Sequence, residues 1–243
     1  MSAKDAGAAP IWRAALTVIA AWLVLNSALT FESLWPTPAI KLSSALSPEI
    51  LALVGGLAVW VAVGRVIGGR WLRWIAAVLL LAILARYLQV TVPALFGRPI
   101  NLYWDGRHLP QVILLALSEL PPLRAALLVL GSLAGIGLFV WLMIRFWSWV
   151  LGRLSAAFAV PIVSRGAAAF ALGLLLIWGM GRVGGAPMLA RLYSQPVTAA
   201  YLEQAWFLAR ALSPGAVDRL LPVSPAYPED VEALHGADVL LLF

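Results

Sequence analysis

The segment of the chain richest in side chains that could do chemistry spans residues 85–112, "ARYLQVTVPALFGRPINLYWDGRHLPQV". Arg86 falls well inside a long apolar run, which predicts a membrane-spanning helix. Inserting an arginine there costs about 2.5–3.5 kcal/mol, and its fork of N–H donors matches two phosphate oxygens. We therefore expect a groove for an anionic lipid headgroup, with eight candidate residues: Arg86, Gln89, Asn101, Tyr103, Trp104, Asp105, Arg107 and His108.

A structural interpretation of these residues stays open beside the functional one. Arg86 would then extend its side chain towards the membrane surface, or pair with Asp105 or Glu119 as a structural ion pair. The aromatic residues near it would form an interfacial belt.

Other kinds of chemistry lack their residues in this sequence. The chain has no Cys and only two His, His108 and His235, which lie far apart. It contains no HExxH motif, no nucleophilic triad, no GxGxxG pattern and no P-loop. Its Lys and Arg residues are scattered singly, which argues against nucleic acid as a partner. The side chains present make no case for an enzyme.

The composition is that of a membrane protein. Of 243 residues, 63% are hydrophobic and 12% are charged, whereas about 25% charged residues is usual in soluble domains. A transmembrane helix needs about 20 mostly apolar residues. Five stretches have that length: residues 11–31, 50–69, 71–96, 123–149 and 166–187. Residues 109–122 are too few to cross, and we expect them to form a re-entrant or interfacial helix.

The placement of basic residues predicts the orientation of these spans. Two connections, between the second and third spans and between the fourth and fifth, hold Arg65, Arg70, Arg73, Arg145, Arg153 and Arg165. Positive residues stay on the cytoplasmic side. The N-terminus is therefore expected inside, and five crossings place everything after the last span outside. We expect the first span to be a retained anchor, because "NSALTF" is a poor signal-peptide cleavage site.

Small residues at a spacing of four occur in two spans. Ala52 and Gly56 form one such pair in the second span, and Gly131 and Gly135 form a GxxxG motif in the fourth. This spacing is typical of helices that pack closely in membranes. We expect both pairs to mark helix contacts within the bundle.

The composition changes after the last span. Residues 194–215 predict one amphipathic helix, with Pro196 in its first turn. We expect it to lie on the outer leaflet, where Trp206 suits headgroup depth; a helix of a soluble domain is the alternative. Residues 220–238 predict a Pro-rich, acidic linker. The expected organisation is a transmembrane domain at 1–188, the amphipathic helix and linker at 189–230, and the start of another domain at 231–243.

The final residues, "HGADVLLLF", are typical of the first buried strand of an α/β domain, here residues 237–243. After five spans, an outer helix and a linker, this ending resembles the membrane-anchored sulfatase-like hydrolases and transferases of the alkaline phosphatase superfamily, which include lipoteichoic acid synthase and phosphoglycerol transferases. The "NLYWD" loop at residues 101–105 is also similar to such membrane domains. The resemblance implies an extracytoplasmic catalytic domain with a Ser, Thr or Cys-derived nucleophile and one or two divalent metals, all beyond this chain.

The sequence therefore predicts an all-α integral membrane protein of a bacterial cytoplasmic (inner) membrane. It would consist of a five-span helical bundle, an interfacial amphipathic helix and the first strand of a truncated α/β domain. This chain would hold no catalytic residue and no cofactor, and would anchor a metal-dependent enzyme and present an anionic phospholipid to it. A small transporter or channel subunit and a purely structural anchor are the rival interpretations.

Overall fold

The computed structural model describes residues 10–183 and 191–213. Seven α-helices and one two-stranded sheet make up this part of the chain. Their bounds are α1 Ile11–Thr30, β1 Glu32–Ser33, β2 Ile40–Lys41, α2 Pro48–Ala62, α3 Gly69–Phe96, α4 Leu102–Ser118, α5 Pro122–Ala157, α6 Pro161–Val183 and α7 Val197–Leu212. The antiparallel sheet is a small hairpin between α1 and α2, in which Glu32 pairs with Lys41.

Four of the described helices, α1, α3, α5 and α6, are long and apolar enough to cross a membrane. The prediction of an all-α membrane fold is therefore confirmed. The second predicted span, residues 50–69, is a helix of only 15 residues, α2. At 1.5 Å per residue α2 is about 22 Å long, which is less than the roughly 30 Å of a hydrocarbon core. The chain leaves this helix at Gly64, whose φ of 78° is left-handed.

Five helices, α1, α2, α3, α5 and α6, run in alternating directions. The Asn26 side chain near the end of α1 donates to Ala45 O, just before α2 begins. At the other end of the bundle, Gly152 of α5 lies beside Leu72 of α3. The beginnings of α1 and α6 line one cavity there. We call the end at which α1 finishes and α2 begins the polar end, and the opposite end, with the α2–α3 and α5–α6 connections, the basic end.

The interior of the bundle is formed by apolar side chains from several helices. Fully or nearly fully buried are Leu25 and Leu29 of α1, Ile50 and Val54 of α2, Ala76 and Leu79 of α3, and Leu151 and Leu154 of α5. Val197, the first residue of α7, joins this core. Since lipid is as apolar as these side chains, close packing is the main force that holds such helices together.

The closest helix pair is α2 against α6. A Cβ atom added at Gly55 would lie 3.0 Å from the Ala171 Cβ, so this glycine permits the contact. A Cβ added at Gly56, Gly131 or Gly135 would meet no described atom within 4 Å. The expectation that Gly56 and the GxxxG motif mark close contacts within the bundle is thus wrong for the described residues: Gly56 borders an open cavity that α3 also lines, and Gly131 and Gly135 are exposed.

Replacing Gly55 with leucine should separate α2 from α6 and destabilise the protein by about 1–3 kcal/mol, the usual cost of overpacking a closed contact. The Gly56→Leu variant is the matched control, since the same side chain would there enter open space. Thermal unfolding of both variants in one detergent, followed by tryptophan fluorescence, measures the difference. Equal melting temperatures for the two variants would contradict the close contact at Gly55.

α4 and the first part of α5 lie outside the core, whereas the last part of α5 contributes to it. No residue of α4 is buried, and the most apolar window of α5 is also unburied among the described residues. The predicted short helix at 109–122 is present, but it begins earlier, at Leu102, because Asn101 caps it there. Pro122 starts α5, which continues to Ala157, eight residues beyond the predicted span.

The amphipathic helix expected at 194–215 is α7, which packs on α3: the Tyr201 hydroxyl donates to Leu81 O over 2.7 Å. Burial raises the pKa of Tyr201. The predicted acidic linker at 220–238 and the predicted strand at 237–243 lie outside the described residues.

Candidate functional site

Arg86 lies at the polar end of the bundle. Its side chain is buried, and Nε donates a hydrogen bond to Phe31 O over 3.1 Å. Phe31 is the first residue after α1, so Arg86 is level with the end of that helix. The distance from the start of α3 to Arg86 is about 26 Å, and α3 then continues to Phe96. Arg86 is therefore central in its own helix but lies near the end of the bundle.

A cavity of about 410 Å³ opens beside Arg86, and we call it the polar pocket. Four chain segments form its walls: the end of α1 with the hairpin, the residues before α2, the part of α3 around Arg86, and the residues before α7. Its lining includes Thr30, Glu32, Ser43, Ser44, Arg86 and Arg191. Among the described residues, two cationic side chains thus share the pocket with hydroxyl groups and one carboxylate.

The guanidinium of Arg86 has no ion-pair partner within the described ranges, 10–183 and 191–213. Besides the bond to Phe31, its Nη1 donates to Gln89 Oε1 over 3.4 Å. The carboxylate of Glu32 lines the same pocket but is paired with Lys41 over 3.1 Å. Since Arg has five N–H donors, about three remain for another acceptor in the pocket.

Asn26 fixes the wall of the pocket that precedes α2. Its Nδ2 donates to Ala45 O and its Oδ1 accepts from the Ser47 N–H, each over 2.8 Å. The Thr30 hydroxyl donates to Asn26 O over 3.0 Å. Asn26, Thr30 and Ser47 are buried, so these bonds satisfy polar side-chain atoms and a backbone N–H that water does not reach. Ala45 is half-buried.

The opposite wall is tied to the same segment by backbone hydrogen bonds. The Leu46 N–H donates to Leu192 O, and the Ser194 N–H donates to Leu46 O, both over 2.9 Å. Burial raises the pKa of the neighbouring Tyr193, whose hydroxyl donates to Leu174 O. The segment before α7 is therefore positioned by the segment before α2.

Glu49 joins the starts of α2 and α7. Its carboxylate accepts from the Ser47 hydroxyl over 3.0 Å and from the Thr198 N–H over 3.2 Å. A carboxylate is favourable at a helix N-terminus, where backbone N–H groups are unpaired. Glu49 therefore has a structural role beside the pocket.

Six predicted site residues form a separate group at the start of α4. Asn101 Oδ1 accepts from the Tyr103 and Trp104 N–H groups and caps the helix. Asp105 binds Arg98 through both oxygens, at 2.6 and 3.2 Å, and accepts from the Asn101 N–H. Its pKa is lowered, first by the Arg98 side chain and then by that backbone N–H. The structural alternative that pairs Asp105 with Arg86 is therefore wrong.

Arg107 and His108, the last two residues of this group, are exposed. The Arg107 guanidinium lies over the rings of Tyr103 and Trp104, 5.7 and 5.4 Å from their centroids. His108 Nδ1 is 3.5 Å from Gln111 Oε1, at the limit of a hydrogen bond. The structure thus brings Arg86 and Gln89 together and places Asn101, Tyr103, Trp104, Asp105, Arg107 and His108 apart from them.

Gln89 lies between the two groups. Besides contacting Arg86, it lines an apolar cavity of about 270 Å³ with Pro93, Ile100 and Gln204. Gln204 of α7 accepts from the Leu102 N–H and donates to Ile100 O. Gln204 therefore links α7 to the residues at the start of α4.

Sequence reasoning missed Asn26, Thr30, Ser47 and Arg191 as parts of the site. Asn26 carried a signal, because an amide inside an apolar span is costly without a partner. Its partners lie about 20 residues further along the chain, in a segment whose course the sequence does not specify. Arg191 carried none.

Within residues 10–183 and 191–213, no group of three or more His, Asp or Glu side chains is placed to hold a metal ion. The chain matches no family model, no curated protein and no solved structure.

Proposed function

We propose that this chain is the membrane domain of a larger enzyme, and that its polar pocket binds the anionic headgroup of a membrane lipid. The observation that carries the proposal is Arg86, a buried cation at a cavity with no ion-pair partner among the described residues. Burying an unpaired charge is expensive, and an anionic ligand removes that cost. A phosphate offers acceptors that suit the unused guanidinium donors.

The pocket favours an anion over a cation for a second reason. Arg191 lies on its rim, and the carboxylate of Glu32 is neutralised by Lys41. The hydroxyl groups of Ser43 and Ser44 add donors that can turn towards a phosphate oxygen. The location at the end of the bundle suits a headgroup whose acyl chains stay between lipids.

A five-span topology with a cytoplasmic N-terminus is part of the proposal. The alternating directions of the five helices support it, and so does the charge at the basic end. Seven arginines and no acidic residue of the described ranges lie there, whereas the rest of the described chain carries eight basic residues together with five acidic ones. The seven are Arg13, Arg65, Arg70, Arg73, Arg145, Arg153 and Arg165. Such an end stays in the cytoplasm. Local thinning of the bilayer or flanking residues would let the short α2 cross.

The sulfatase-like partner domain rests on the resemblance of residues 235–243 and on this topology. Both α7 and the residues that follow would lie outside a bacterial cytoplasmic membrane. The catalytic nucleophile and the divalent metal would belong to the domain beyond this chain, and the polar pocket would supply lipid to it. If the coding sequence continues past Phe243, an acidic residue within the first few positions supports this family; its absence contradicts it.

Lipid binding tests the pocket directly. Native mass spectrometry of the purified chain with phosphatidylglycerol should give weaker binding at one site in the Arg86→Gln variant, by roughly tenfold to a hundredfold. This range corresponds to the loss of a charged hydrogen-bond donor, worth about 1.5–3 kcal/mol. Arg124→Gln, at an exposed position of α5, is the control of equal charge.

Two further measurements, thermal unfolding of the Arg86→Gln variant and a solute-flux assay, distinguish the rival functions. Arg86 also ties α3 to the end of α1, so a purely structural anchor predicts a lower melting temperature with unchanged lipid binding. A transporter predicts solute flux from this chain alone in proteoliposomes. Unchanged lipid affinity in a folded Arg86→Gln variant would contradict the proposed headgroup site.

A further inference from the structure

A second cavity lies at the basic end, opposite the polar pocket. It is an open cleft of about 900 Å³ between the first turn of α3 and the second half of α5, and we call it the basic cleft. Its lining includes Leu72, Arg73, Trp141, Arg145, Phe146 and Trp149. Its volume is near the upper limit of roughly 300–1,000 Å³ for ligand pockets.

The two arginines of the cleft have no carboxylate partner among the residues described. The Arg73 Nε makes only a long hydrogen bond, 3.4 Å, to Gly69 O in its own helix. Both ion pairs found in residues 10–183 and 191–213, Lys41–Glu32 and Arg98–Asp105, lie away from this end. The two like charges repel each other. An anion bound between them attracts both, and this attraction offsets the repulsion.

The other walls of the cleft are apolar and exposed. Trp141 is 60% exposed, Trp149 58% and Phe146 42%. Tryptophan is enriched where membrane meets water, because its ring is apolar and its N–H is polar. A ligand that fits therefore has an anionic group for the arginines and hydrocarbon for the rings.

We infer that the basic cleft binds one anionic phospholipid from the leaflet at the basic end. The phosphodiester lies between Arg73 and Arg145, and the acyl chains lie along Trp141 and Phe146. This lipid is distinct from the headgroup proposed for the polar pocket, because the two cavities are at opposite ends of the bundle. The inference does not depend on the proposed function.

Native mass spectrometry with phosphatidylglycerol tests the cleft. The wild-type chain should hold one tightly bound molecule in the cleft, and the double variant Arg73→Gln, Arg145→Gln should bind this molecule at least tenfold more weakly. The matched control is Arg65→Gln, Arg165→Gln, which removes the same charge from the same end but outside the cleft. An Arg86→Gln variant should keep the lipid of the cleft, which separates the two proposals.

Three results would overturn the inference. Equal loss in both double variants would indicate general attraction of anionic lipid to a basic surface. Unchanged binding in the cleft variant would show that the arginines hold no lipid. Displacement of the lipid by glycerol phosphate at similar concentration would show that the rings do not contribute. The variant Arg73→Lys, Arg145→Lys should keep much of the affinity and shows that the fold tolerates changes at these positions.

Discussion

Replacing Asn26 with leucine should destabilise the protein by roughly 2–5 kcal/mol, the largest effect we expect from a single polar residue. The side chain is 7% exposed and serves two backbone groups, Ala45 O and the Ser47 N–H. Leucine fills a similar volume but leaves both groups unpaired. An unpaired buried group costs about 1–3 kcal/mol, and the half-buried Ala45 O should cost less than the buried Ser47 N–H. Thermal unfolding in detergent, followed by tryptophan fluorescence, measures the loss.

Asn101→Leu is the matched control for this prediction. Asn101 also binds two backbone groups, but it caps an exposed helix, so its loss should cost only about 1 kcal/mol. Hydrogen exchange adds a local readout: the Asn26 variant should lose protection at residues 43–47 and 192–194, which share hydrogen bonds. Equal destabilisation by the two variants would show that the polar end does not depend on Asn26.

The Asn26 variant should also weaken lipid binding, although Asn26 does not line the polar pocket. The reason is that Ser43 and Ser44 directly precede Ala45, which the amide holds in place. Asn26 is therefore a positioning residue. Recovery of binding at low temperature, where the folded form is populated, would separate this effect from direct contact with the lipid.

The sequence predicts helices well where an apolar run and a helix coincide. The first and third spans match α1 and α3 within two residues at each end. Hydropathy marks where a chain stops being apolar, not where the hydrogen bonding of its helix ends. For this reason the predicted span ends at Trp149, whereas α5 continues to Ala157. The same limit explains α2, whose apolar run continues past the left-handed Gly64.

The site was only partly predictable, for a reason of geometry. Gln89 follows Arg86 by three residues on one helix, so their contact could be expected from spacing alone. Phe31 is 55 residues away, and the depth of Arg86 depends on where that other helix ends. Counting residues within α3 could not show this, because α3 continues to Phe96, past the end of α1. The spacing of small residues likewise could not distinguish Gly55 from Gly56.

Reporter fusions should show an all-or-none pattern along the chain. Alkaline phosphatase, which is active only outside the cytoplasm, should be active behind Leu42, Pro99 and Ser213 and inactive behind Gly64 and Ala159. Green fluorescent protein should show the reverse pattern. The physical reason is that the basic end, which holds the connections after α2 and α5, is retained in the cytoplasm by its arginines.

The fusion behind Ser213 is the decisive one, because it depends on whether the short α2 crosses. Five crossings from a cytoplasmic N-terminus place Ser213 outside, whereas four crossings place it inside. Fluorescence without phosphatase activity at this position would contradict the five-span proposal. The polar pocket is built partly from the segment just before α7, so it would then open to the cytoplasm. An extracytoplasmic enzyme could not draw its lipid substrate from a pocket in that location.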